Sequence, residues 1–163
     1  MKKFFKDLII LILLIFQIIL VGCNKQSPNI NEFIQESHLE NIVSESISDH
    51  ASSNDNIKAI FESHKIVGKE LKKDILSVYV IGFVMGVYDN NKDFGGEYPA
   101  HIKIQKVENN YKVVDFRTVM ASMEIYNIMP KKYAKEILDY DTSSLYQIVK
   151  KQTDDWRKTN QTN

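Results

Sequence analysis

An α+β domain is the fold class this sequence predicts, and three observations predict it. Apolar residues recur at helical spacing over residues 30–47. Four strand-like runs then follow one another between residues 57 and 119. Helical signals return from residue 122 to the end. Successive strands joined by short turns pair antiparallel. The expected architecture is therefore an N-terminal helix packed on a four-stranded antiparallel meander, followed by short C-terminal helices.

The segment ahead of that domain has its own logic. Lys2, Lys3 and Lys6 make a basic start, and Leu8 to Leu20 is an apolar run of thirteen residues broken only by Gln17. A membrane-spanning helix needs about 20 apolar residues. The run is too short for that and fits the apolar region of a secretory signal peptide. The small residue Gly22 precedes Cys23, the only cysteine in the chain. Leu20-Val21-Gly22-Cys23 resembles the lipobox of bacterial lipoproteins. That resemblance implies that the Cys23 thiol is alkylated with diacylglycerol, that cleavage falls between Gly22 and Cys23, and that Cys23 becomes the new N-terminus. Two acyl chains matter physically, because one alone binds a membrane reversibly. The expected organisation is a lipoprotein signal peptide over residues 1–22, a lipidated tether over 23–29, one α+β domain over 30–158 and a frayed tail over 159–163. The expected location is the extracytoplasmic face of the cell membrane.

Composition narrows the function. Removing residues 1–22 takes away three lysines and Asp7, leaving 18 basic against 20 acidic side chains. Nucleic-acid binders show a basic footprint, so this balance argues against such a partner. No polybasic patch for anionic lipid stands out either. With its one cysteine given to lipid, the exported domain has no disulfide and must be stabilised by its apolar core.

The elements follow in order. Asn29 suits an N-cap, with Glu32 three residues on as the other half of a capping box. Ile30, Phe33, Ile34, Leu39, Ile42, Val43 and Ile47 then predict one amphipathic helix ending near Ser48. Residues 48–56 form a loop by composition. Residues 57–71 predict a first strand, Lys72-Lys73-Asp74 a turn, and residues 75–88 a second strand. That second strand is apolar on both faces, as a central strand covered twice would be. Leu76, Val78, Val80, Gly82, Val84 and Gly86 share one face, and the two glycines there predict close approach by the helix over 30–47. Tyr79, Ile81, Phe83, Met85 and Val87 share the other, which the C-terminal helices or else a partner should cover, the helices being the favoured cover and any remaining gap the expected ligand site. A polar loop follows. Ala100, Ile102 and Ile104 predict a half-buried third strand, Asn109-Asn110 a hairpin turn, and residues 111–119 a fourth strand. Residues 122–128 predict a short helix. Pro130 suits the first turn of the next, and Asp141 or Thr142 the cap of the last. In that last helix Leu145, Ile148, Val149, Gln152 and Trp156 are expected on the buried face, with fraying after Trp156.

This element order resembles cystatin-like and nuclear-transport-factor-like rolls, in which a long helix packs into a curved sheet. Residues 61–88, the Gly95-Gly96-Glu97-Tyr98-Pro99 segment and Met129-Pro130-Lys131-Lys132-Tyr133-Ala134 together resemble a module of uncharacterised lipoproteins of Gram-positive bacteria. That resemblance implies no catalytic residue.

Few side chains announce chemistry. The nucleophile elbow and the phosphate and dinucleotide loops are missing. His38, His50, His64 and His101 include no pair at the i, i+4 spacing of a zinc helix. Glu62 and His64 share a strand face, with His101 as a possible neighbour across the sheet; a solvated face is the expected reading. Asp89-Asn90-Asn91-Lys92-Asp93 starts like a calcium loop, but Phe94 and Ala100 stand where glycine and glutamate are needed. A plain hairpin connection is expected. The sequence therefore predicts a binding or accessory module of the cell envelope, not an enzyme, with no cofactor. Its expected partners are membrane lipid through Cys23 and an envelope protein or small ligand. The alternative is an immunity or inhibitor-type lipoprotein that blocks a partner at the membrane.

Overall fold

A computed structural model of the chain describes residues 29–53, 56–88, 92–119 and 124–160. Among the described residues two helices come first, α1 (Ile30–Phe33) and α2 (Glu36–Ala51). Four strands follow, β1 (Ile57–Lys72), β2 (Ile75–Tyr88), β3 (Asp93–Val107) and β4 (Asn110–Thr118). Three described helices follow the sheet, α3 (Ile125–Ile128), α4 (Lys131–Leu138) and α5 (Ser143–Asn160). The sheet is antiparallel in the order β1-β2-β3-β4. The fold is α+β, as the sequence predicts.

The helix expected over 30–47 is two pieces. Asn29 caps the first, accepting from the Asn31 N–H at 3.1 Å. Ile34 and Gln35 then turn extended, and α2 begins at Glu36 and runs on to Ala51. The break puts Ile34 into the core at 2% exposure. Tyr111 fastens the same corner, its hydroxyl donating to the Phe33 carbonyl at 2.5 Å.

Both sides of β2 are covered. Leu39, Val43 and Ile47 of α2 pack with Leu76, Val78, Val80 and Val84 of β2 and with Ala100, Ile102 and Ile104 of β3. Each of the buried Leu, Ile and Val side chains contributes about 2 kcal/mol. On the opposite side Tyr79 and Ile81 pack with Ile125, Met129, Ala134 and Ile137. Beyond them α5 lies on β1 and β2, with Tyr146 against Phe83 and Trp156 against Phe61. The glycine face meets α2 at Gly82, where Ile47 comes within 3.6 Å of the missing β-carbon, but at Gly86 the Phe94 ring fills the space instead.

Three boundaries differ from expectation. β3 starts at Asp93, so the stretch expected as a polar loop is strand. Pro99 is tolerated there because its carbonyl accepts from Thr118 Oγ1 at 2.8 Å; its nitrogen therefore faces past the end of β4, where no ladder bond is lost. The β3–β4 turn is Glu108-Asn109, with the positive φ on Glu108 and not on an asparagine. The packing of Ile102 and Ile104 sets that register. Finally, α5 is eighteen residues long and reaches Asn160, so Thr159 and Asn160 belong to a helix and not to a frayed tail.

Within α5 the buried stripe is Leu145, Val149 and Thr153, while Ile148 is 48% exposed and Gln152 is exposed. Thr153 enters the interior because its hydroxyl donates to the Val149 carbonyl at 2.9 Å. The buried sector is thus rotated towards a polar residue. Thr142 contributes the first carbonyl of α5, to Tyr146, and Asp141 accepts from the Ser143 N–H at 2.9 Å. Pro130 stands one position earlier than expected, as the N-cap of α4.

Candidate functional site

Leu20, Val21, Gly22 and Cys23 lie outside the described residues, as do Asp89, Asn90 and Asn91 of the calcium-like loop. Among the described residues no helix is long and apolar enough to cross a membrane. Among the described residues, polar chemistry or empty space gathers in several places.

The first is a charged cluster between α2 and β1. β1 carries Glu62 and His64 on one face, two residues apart. α2 carries Glu40 and Ser44 one turn apart, facing them. His64 Nε2 stands 2.7 Å from Glu40, and Nδ1 stands 3.0 Å from Glu62. Ser44 donates to the second oxygen of Glu62 at 2.5 Å. Carboxylates only accept, so His64 satisfies both contacts only as an imidazolium. Burial lowers its pKa, but the hydrogen bonds and charges of Glu62 and Glu40 outweigh that, and the net shift is upward. Neither ring nitrogen is left to take a proton from a substrate, and Ser44 bonds a carboxylate, not the histidine. The arrangement is an ion-pair staple holding α2 to the sheet. The sequence pairs Glu62 with His64 correctly but expects a solvated face, whereas their side chains are only 9% and 8% exposed beneath α2; Glu40 and Ser44 lie too far along the chain to be picked out.

His101 does not join them. It stands opposite Tyr79 in the ladder, whereas His64 stands opposite Gly82, so the two histidines occupy opposite faces of the sheet. His101 Nδ1 donates to the Ile128 carbonyl at 2.7 Å, and its ring stacks on Tyr79 at 4.7 Å between centroids. Burial lowers its pKa, with the Ile128 bond opposing. The neutral ring keeps its proton on Nδ1 and leaves Nε2 as an acceptor, buried and without a partner among the described residues. His101 lines a shallow cleft of about 500 Å³ together with Ser77, Tyr79, Lys103 and Asn127.

The third place is a cavity of about 520 Å³ beyond the C-terminal end of α2. Its origin is a mismatch of lengths. Sixteen residues of helix reach about 24 Å, and fourteen residues of strand about 46 Å. The helix covers the sheet as far as Gly82 and Val84 and stops. His50, Ala51, Tyr88, Phe94, Gly96 and Tyr98 line the resulting space. Tyr88 and Phe94 lie 4.8 Å apart between ring centroids, and His50 bridges Phe116 at 4.5 Å and Tyr98 at 6.4 Å. Burial pushes the Tyr98 hydroxyl pKa up. This cavity lies on the α2 face of the sheet, whereas the sequence placed any residual gap on the face of the C-terminal helices. Gly95-Gly96 between Phe94 and Tyr98 was the available signal, and it was taken for a loop.

Compared with protein-family models, with curated proteins and with solved structures, the chain matches none of them.

Proposed function

We propose that the chain is a lipoprotein, held on the extracytoplasmic face of the cell membrane by diacylglycerol on Cys23, whose α+β domain is a binding or accessory module of the cell envelope. One observation carries this reading: the sole cysteine stands directly after Leu20-Val21-Gly22, at the end of a thirteen-residue apolar run behind a basic start. The tether from Cys23 to Asn29 spans about 20 Å at full extension, so the domain stays close to the lipid surface. Binding is favoured over catalysis because the histidine–carboxylate cluster at His64 spends both ring nitrogens on carboxylates. The test is a Cys23→Ala variant grown with a fatty-acid analogue. The natural protein takes up the label and sediments with membranes, and the variant does neither. A variant that stays labelled and membrane-bound would sink the reading.

A further inference from the structure

The floor of the cavity beyond α2 has an unusual centre. Gly96 stands in β3 opposite Val84, on the face that α2 covers elsewhere. Among the described residues, no heavy atom lies within 4 Å of the place a β-carbon would take. Its φ is not positive, so no turn geometry demands a glycine there. The contrast is Gly86, where the Phe94 ring already occupies the equivalent space. At Gly96 the sheet presents its peptide plane to the cavity uncovered by any described residue.

Aromatic rings stand on either side. Residues i and i+4 of a strand rise from the same face about 13 Å apart, which places Phe94 and Tyr98 as flanking walls of Gly96. Tyr88 backs Phe94, and Ala51, Ile57 and Val84 close the apolar lining. His50 brings its ring to the same lining, whereas the Glu97 side chain rises from the other face of the sheet, where Thr142 donates to it at 2.8 Å. A volume of about 520 Å³ is within the range of small-molecule sites. Ring faces and edges favour another ring in offset or edge-on contact over an equal area of aliphatic chain.

We propose that this cavity binds a small planar aromatic ligand of one or two rings, seated on the Gly96 backbone between Phe94 and Tyr98. The inference deepens the binding reading above and is independent of the anchor. The test uses the full lipidated chain in phosphatidylcholine nanodiscs, with fluoroindole as the probe and fluorine NMR as the readout. The natural chain should broaden the probe signal beyond empty nanodiscs, and indole should displace the probe where decanoate does not. Gly96→Leu fills the floor and should weaken binding about tenfold or more. Ala51→Leu narrows the cavity from the helix side and should do the same, and it decides the matter if Gly96→Leu does not fold. Broadening no greater than in empty nanodiscs, undiminished binding by a folded variant, or displacement by decanoate as readily as by indole would each overturn the proposal. The same measurement on Cys23→Ala separates the two readings: the probe reports on the cavity, and membrane sedimentation on the anchor.

Discussion

His64 and His101 are the residues whose protonation the fold controls, in opposite directions. Glu62 and Glu40 hold His64 above the ordinary value of 6.5 despite its burial. Its contribution to stability is therefore complete below pH 6.5 and is lost as pH rises through the folded-state pKa. Burial holds His101 below 6.5, against the pull of Ile128 and Asp115 and with that of Lys103 and Arg117. Its contribution is present above 6.5 and is lost as pH falls through its own folded-state pKa. The urea midpoint should therefore peak near neutrality. In a pH series His64→Gln should flatten the alkaline limb, and His101→Gln should flatten the part of the acid limb just below 6.5. An alkaline limb unchanged by His64→Gln would show that the Glu40–His64–Glu62 staple does not form.

At the scale of elements, the cover on the second face of the sheet is the sharpest consequence of the packing. Leu145 and Val149 are buried, and Phe61 and Phe83 have Trp156 and Tyr146 against them. Leu145→Ala should cost about 2–5 kcal/mol in urea denaturation. Ending the chain after Tyr140 should leave a domain that binds a hydrophobic dye or aggregates; one that stays monomeric and dye-free would contradict the role of α5 as a cover. This two-sided burial was legible because β2 has no polar face to give to water. The C-terminal limit of α5 and its buried stripe were not, because Thr153 hides its hydroxyl by bonding back to Val149. The start of β3 was missed for a related reason. Glycine and proline break strands by local preference, but here Gly95 and Gly96 complete the ladder to β2, and Pro99 stands past the end of β4. Of the candidate sites, the Glu62–His64 pair could be read from period-two spacing. Its partners on α2 and the cavity beyond that helix depend on how far the helix reaches, which periodicity does not state.

At the scale of the whole molecule, the proposed anchor would hold the α+β domain at a lipid surface through a short polar tether. Cys23 is the only cysteine in the chain, and on the proposed lipoprotein reading its lipidation would hold the α+β domain, and the cavity proposed to bind an aromatic ligand, within a few nanometres of the bilayer. Everything said about location rests on one covalent event. Mass spectrometry of the mature N-terminal peptide from isolated membranes measures that event directly. The account predicts a peptide beginning at Cys23 and heavier by a diacylglyceryl group in thioether linkage; a chain that still begins at Met1, or one that begins elsewhere with Cys23 as a free thiol, would contradict it.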